Sequence, residues 1–524
     1  MECKIDDLPD VLLEYILSLI PPYKDLQECR LVSKRWFHAT ENVIQHNKAH
    51  FHKSVAYGSL LWNPWPSIEW KPIIGKRHSH SACMYRNSMY VFGGCTATCT
   101  TFNDLWRLDL DTRTWVRLHT LGSYPSPKAC ATMLHYKRKF ILFGGCCHPS
   151  PYPLHQQWKL FNELHMYSIE SNRWIAINTL ETPPPISAHS ASIHKNYMVV
   201  FGGICHGYRS NDIWCLNLDS YTWHKQVTSN LKPPPRYGQS QIELGDDHLL
   251  VLGGCTGPNV AMNDAWLLKM EGSAWTWRKV NMHNTEWAPT RIWCHQACRV
   301  GNYIIVLSMN KYQNKPNSMS MKKVTCQRTA PPQSRESTPL HERQGNLPHI
   351  DRDVNVNGRR GAFSRAPAQN AHSSSHTPNF TKSLTLCNDN VLSMAAFRDE
   401  PIRNGSNSNR QRQLESLRRM EERIRNRRIQ SKTAKKSGNT LSIFVLDITN
   451  VLCDECTASW IPLKYCNQSG PNERILYSLV AGRGELIVFG GIRNEQTSMQ
   501  SDPDMDESEV YNDLHFINPP RYVI

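Results

Sequence analysis

Runs of about five residues in which apolar positions alternate with polar ones recur along most of the chain and read as half-buried β-strands. Four of them end in a glycine pair: YVFGG (Gly93, Gly94), ILFGG (Gly144, Gly145), VVFGG (Gly202, Gly203) and LVLGG (Gly253, Gly254). The first glycines stand 51, 58 and 51 residues apart (93, 144, 202, 253). After each pair comes a variable stretch and then a second signature: FNDLWRLD (102–109), FNELHMYS (161–168), SNDIWCLN (210–217) and MNDAWLLK (262–269). A tryptophan closes each unit: Trp115, Trp174, Trp223 and Trp275, with Trp277 a second choice in the fourth. Each unit thus predicts four strands. Four strands cannot bury both faces of their sheet alone, whereas radial stacking buries them and leaves only short edges, as in a β-propeller blade. The glycine pairs suit a crowded turn, placed here at the end of the inner strand, and the tryptophans suit packing between blades.

A fifth unit breaks off and resumes. CHQACRVGNYIIVLS (294–308) supplies the first half of a blade, with Ser308 and Met309 where the glycines belong, and SIFVLDITNVLCDECTASWIPL (442–463), with Trp460, supplies the second. A sixth follows in GRGELIVFGG (482–491) and YNDLHFIN (511–518) but lacks its closing tryptophan, which SIEWKPI (67–73), with Trp70, is expected to provide. The predicted fold is mainly β: a six-bladed propeller over 49–308 and 441–524, closed by an N-terminal strand near 67–73 and interrupted by an insertion at 309–440.

Residues 1–48 have helical periodicity instead. Asp6 or Asp7 is placed to cap a helix opened by Pro9, with Leu12, Ile16 and Leu19 at helical spacing before Pro21 and Pro22 stop it. Two further short helical runs carry Leu26, Leu31, Val32 and Trp36. A module this small buries too little core by itself, so its apolar stripes pack on the propeller or await another protein, and periodicity leaves both open.

The formal charge of +15 belongs to the insertion, since 309–440 hold 25 Lys and Arg against 10 Asp and Glu. That segment is poor in aromatics and reads as disordered. Within it, 412–430 fit a single helix with Leu414, Leu417, Met420 and Ile424 near one face, and 423–436 fit a nuclear-import signal or a solvated basic tether. Specific nucleic-acid binding is not expected. No apolar run approaches the ~20 residues of a membrane span and no secretory signal is visible, so a cytoplasmic or nuclear protein is expected, its 18 cysteines reduced.

Those cysteines include CTATC (Cys95, Cys99), GGCCH (Cys146, Cys147, His148), CHQAC (Cys294, Cys298) and CDEC (Cys453, Cys456). No second pair stands at zinc-finger spacing, so buried thiols are favoured over a metal site. No phosphate loop, nucleophile triad or carboxylate pair can be placed. The expectation is a protein without catalytic residues, metal or cofactor.

The ~50-residue period resembles that of kelch repeats, and LPDVLLEYILSLI followed by LVSKRW resembles an F-box. Together they resemble the F-box and kelch-repeat proteins, substrate adaptors of cullin-based ubiquitin ligases. The resemblance implies that Leu8, Pro9, Leu12, Ile16, Val32 and Trp36 bury against Skp1, some of them instead forming the core of a three-helix F-box. Through Skp1 it implies a cullin-RING ligase core, and through the propeller a protein target to be ubiquitinated and degraded. A kelch scaffold or cytoskeletal protein without a ligase is the alternative.

Sixteen residues before the first glycine of each pair, at the start of the innermost strand, stand Arg77, Lys128, Ile186, Tyr237, Ile292 and Arg474, with Arg236 and Arg291 adjacent to the fourth and fifth. Three residues after the first of these comes His80, with His189, Gln239, His295 and Tyr477 at the matching places. Facing one another round an axis, such groups would capture an acidic or phosphorylated segment; equally, they would join strand ends by hydrogen bonds. The candidate target-binding set is Arg77, His80, Lys128, His189, Arg236, Arg291, His295 and Arg474.

Overall fold

A computed structural model describes residues 5–66, 73–148, 158–245, 247–257, 260–309, 440–462, 470–493 and 509–520. Three helices come first: α1 (Asp10–Ser18), α2 (Lys24–Cys29) and α3 (Lys34–Ala56). Leu13 and Leu17 of α1, Leu26 of α2 and Ala39 and Val43 of α3 form their common core. Ser33 caps α3 by accepting from the Trp36 amide at 3.2 Å. At the start of α1 the flanking residue is Pro9, which makes no side-chain cap bond.

After β1 (Leu61–Trp65) come the four antiparallel strands of blade one: β2 (Ser81–Tyr85), β3 (Ser88–Phe92), β4 (Leu105–Asp109) and β5 (Thr114–Leu118). Five further sheets repeat this order, making a six-bladed propeller. The first strand of each blade is the innermost, because these strands lie beside one another round the axis. The glycine pairs therefore end the second strand, not the innermost one.

Four closing tryptophans pack on the phenylalanine just before the preceding blade's glycine pair, and Trp460 of blade five lies in a core with Leu252 at that place. Trp115 meets Phe489 at 4.9 Å between centroids, Trp174 meets Phe92 at 5.4 Å, Trp223 meets Phe143 at 4.7 Å and Trp277 meets Phe201 at 5.1 Å. In blade four the residue in register is thus Trp277.

Blade five is split as the sequence suggests. Its strands Tyr303–Met309 and Leu441–Asp447 pair over seven residues, with Met309 opposite Leu441, so the intervening segment leaves and returns at one point. The expected helix at 412–430 and the basic run at 423–436 lie outside the described residues.

Blade six is closed by the N-terminal strand, but that strand is β1, paired antiparallel with Leu514–Asn518. Trp62, opposite Ile517, takes the place of Trp115 opposite Leu108. The closing strand is therefore not 67–73, most of which (67–72) lies outside the described residues.

Around the axis the six blades are sewn together by a closed ring of backbone hydrogen bonds. Ser79, Cys130, Ala188, Gly238, Cys294 and Leu476 each precede an innermost strand, and all have φ between 52° and 65°. Each N–H donates to the carbonyl of its counterpart in the preceding blade at 2.7 to 3.0 Å, and Ser79 donates to Leu476 to complete the circle. The left-handed conformation costs a non-glycine residue roughly 1 kcal/mol. It is kept at five of the six because it points both backbone groups along the ring.

Turns between first and second strands, and between third and fourth, lie on one face of the propeller; glycine pairs and long loops lie on the other. The helices sit on the short-turn face. Lys24 N–H donates to Asp111 in a blade-one turn, and His52 packs against Gly301 in a blade-five turn. Helix α3 runs past residue 48 to Ala56, and Phe51 and Val55 bury among residues of blades five and six, so the helical module ends later than expected.

Candidate functional site

Helix α1 is apolar almost all round, so burying one stripe leaves another outside. Leu13 and Leu17 face inward with no exposure, while Val11 (72%), Leu12 (45%), Tyr15 (38%), Ile16 (39%) and Leu19 (60%) remain open. Leu31 (84%), Val32 (62%) and Phe37 (41%), from the α2–α3 link and the first turn of α3, are open as well. Arg35 joins the two helices, its Nε 2.7 Å from Asp10 and its Nη2 donating to the Leu8 carbonyl. Of the six residues the resemblance points to, Pro9, Leu12, Ile16 and Val32 are exposed, Leu8 is half-buried, and Trp36 packs against the helical core. Helical spacing found Leu12, Ile16 and Leu19 but not which way they face. Val11, Tyr15 and Phe37 were missed; for the two in α1 the signal was that Asp10, Glu14 and Ser18 form only a single polar line along the helix.

The module is anchored to the propeller through a buried polar knot. Tyr23, without exposure, donates to Glu485 in a blade-six hairpin, and Glu485 also accepts from Arg113 of blade one at 3.0 Å and Asn518 at 3.1 Å. Arg113 lies over the Phe516 ring at 3.7 Å. A Cβ at Gly482 would come 2.6 Å from the Tyr23 hydroxyl, so glycine is what lets the tyrosine in.

The expected ring of cations is present in sequence register but does not face a partner. Arg77, Lys128, Arg236 and Arg474 are 0 or 1% exposed, and each is spent on an acid from the second signature of its own blade. Arg77 holds Asp104 at 2.8 and 3.1 Å, Lys128 holds Glu163 at 2.6 Å, Arg236 holds Asp264 at 2.7 and 3.0 Å, and Arg474 holds both oxygens of Asp513. The arginines also donate to the carbonyl of the first glycine in the pair. Burial would raise the carboxyl pKa of Asp104 and Asp264, but the hydrogen bonds and charge of Arg77 and Arg236 outweigh it and hold both below the ordinary value. Blades three and five have Ile186 and Ile292 at the cation position, both buried. There Asp212 turns to Lys225 at 2.9 Å, and buried Ser442 replaces the acid altogether. Arg291 is half-buried, its carbonyl accepting from Ser308.

The polar groups three residues on join blade to blade. His80 bonds Ser478 at 3.0 Å, His189 bonds Thr132 at 2.9 Å, and Gln239 donates to Ser190 and the Phe201 carbonyl at 3.0 and 2.9 Å. His295 lies edge-on to Tyr477, whose hydroxyl donates to the Leu307 carbonyl at 2.8 Å. Burial pushes His80 well below the ordinary histidine pKa, His189 down to about 3 and His295 to about 4, so all are neutral. The candidate target-binding set is corrected accordingly: four of its cations are internal ion pairs, and its three histidines are buried links between blades.

Cys95 and Cys146 lie beside His78 and His148, with Sγ to Nε2 distances of 3.4 and 3.7 Å. Cys294 and Cys298 flank the start of blade five's innermost strand, whereas Cys456 is in the core and Cys453 exposed. Among the described residues no three His, Cys, Asp or Glu are grouped to hold a metal ion. None of the described helices is long and apolar enough to cross a membrane.

Residues 77–277 match the family model described as FBX42, beta-propeller domain, and residues 5–45 match the F-box-like family. Kelch domain-containing protein 1 of Mus musculus is 27% identical over 241 residues, covering 42% of this chain and 58% of that protein. Kelch domain-containing protein 2 of Bos taurus is 29% identical over 233 residues, covering 40% and 55%. The chain thus spans less than two thirds of these relatives. It carries an F-box-like helical module on a six-bladed kelch-type propeller.

Proposed function

We propose that this chain is the target-recruiting subunit of a Skp1-containing, cullin-based ubiquitin ligase, related to F-box only protein 42. The observation that carries the reading is the unpartnered apolar surface of the F-box-like module. Large side chains at Val11, Leu12, Ile16, Leu19, Leu31 and Val32 stand open on a module whose own core is already filled. Burial of apolar surface stabilises association by about 25 cal/mol per Å², and exposed clusters of this kind mark interfaces. That surface includes Leu12, Ile16 and Val32 of the residues that the F-box resemblance assigns to Skp1.

The chain's part is to bring two proteins together, raising the local concentration of the target at the ubiquitin-charged enzyme and supplying no catalytic group. The helices occupy the short-turn face, which leaves the long-loop face, with exposed Tyr124, Leu180, Tyr208 and Leu231, as the target side. The test expresses the full chain in cells beside a Leu31→Asp/Val32→Asp variant, both sites being too exposed to disturb folding. Both should capture the same targets, and only the wild type should bring down Skp1 and raise ubiquitin on those targets. Equal ubiquitination with either chain, or no Skp1 with the wild type, contradicts the assignment and favours a scaffold without a ligase.

A further inference from the structure

Where the helical module meets the propeller, α2 and α3 stand over the first hairpin turns of blades five and six and enclose a cleft of about 660 Å³. Its apolar floor includes Ile44, Phe51 and Val300, and glycines at 301, 482 and 484 bring backbone to its wall. Its charge is one-sided. Arg30 and Glu41 neutralise each other at 2.7 Å, and Glu41 is the only acid on the lining. Lys48 from α3, Arg299 from blade five and Arg483 from blade six also line this space.

None of the three has a carboxylate partner among the described residues. Arg299 is oriented by donating to the Gly301 carbonyl at 2.9 Å and the Glu243 carbonyl at 2.6 Å, while Lys48 and Arg483 make no side-chain bond there. His52, also on the lining, is held below its ordinary pKa by burial and then by the charge of Lys48. Three like charges from three elements repel one another unless an anion joins them.

We propose that this cleft binds a small polyanion of the phosphate class, held by Lys48, Arg299 and Arg483. The volume lies within the range of small-molecule sites, roughly 300 to 1,000 Å³, and is too confined for a folded partner. Several negative charges are needed to answer three cations, and guanidinium groups pair with phosphate oxygens two at a time. Because the walls come from both the helical module and the blades, an occupied cleft braces the junction. The residues open for Skp1 are not on the lining, so the site is independent of the proposed ligase role.

The experiment is calorimetric titration of the full chain with inorganic pyrophosphate, with acetate as a single-charge control. The variants are Lys48→Ala/Arg483→Ala and, separately, Arg483→Glu, all at exposed positions without partners. Saturable one-to-one binding of pyrophosphate is expected, weakened at least 10-fold in each variant and falling with salt, with acetate showing none. Absence of saturable binding, or binding unchanged in variants that melt like the wild type, overturns the proposal. Skp1 binding measured on the same samples should be equal throughout, which separates failure of this site from failure of the ligase reading.

Discussion

At the residue scale, the cations before four of the six innermost strands show how a repeated charge can belong to the fold. A buried guanidinium is tolerable only when paired, and removing one partner of such a pair costs roughly 3 to 5 kcal/mol, whereas an apolar replacement of the whole pair is close to neutral. The chain performs this replacement in blade five, where Ile292 and Ser442 occupy the two places. Arg236→Ala is therefore expected to lower unfolding free energy by about 3 kcal/mol. The double change Arg236→Ile with Asp264→Ser should recover most of it, as read by denaturant unfolding. Sequence register located these residues but could not show which way they point, because a cation facing a partner and one facing its own blade occupy the same position in the repeat. The acids that pair with them were also visible, in FNDLW and MNDAW, and blade five has neither cation nor acid at the two places, whereas blade three keeps the acid Asp212 without the cation.

The buried histidines make a second prediction. Their folded pKa values lie below the unfolded value of about 6.5, so their contribution is fully present above that pH and is lost as pH falls toward their folded values. For His189 that window runs from about 6.5 down to about 3. Each such group should cost about 1.4 kcal/mol per pH unit within its window. His189→Gln, which copies Gln239 of blade four, should flatten the stability-against-pH slope by close to one proton between pH 6 and 4.

At the element scale, the split blade and the N-terminal closure were legible because strand patterns and glycine pairs survive an interruption between them. The closing strand was misplaced by choosing Trp70 over Trp62, though spacing distinguished them. A closing tryptophan precedes the next blade's first glycine by 29 residues (115 to 144), 28 (174 to 202) and 30 (223 to 253). Trp62 is 31 residues before Gly93 and Trp70 only 23. The ring of left-handed residues was not legible: serine, cysteine, alanine and leucine carry no signature of positive φ, and tertiary hydrogen bonds alone impose it. The anchor of the helical module rests on Tyr23 and on the glycine that admits it. Gly482→Ala should expel the tyrosine hydroxyl and loosen α1–α3 from blade six, giving faster proteolysis near residues 56–60. The propeller's melting temperature should move by only a few degrees.

At the scale of the whole molecule, an apolar helical module is fixed rigidly to one face of a wheel whose long loops open on the other. Rigidity follows from Tyr23, Glu485 and Arg113 and from burial of Phe51 and Val55 under blades five and six. A recruiting subunit built this way holds its target at a set distance and orientation from whatever grips the helices. The central claim is that the open side of α1 and the α2–α3 link grips Skp1. Its most direct measurement is titration of purified Skp1 into the purified full chain and into Val32→Asp. The account predicts a one-to-one complex for the wild type and at least a 100-fold weaker one for the variant, with both chains melting at the same temperature. No complex with the wild type, or equal affinity for the two chains, would contradict it.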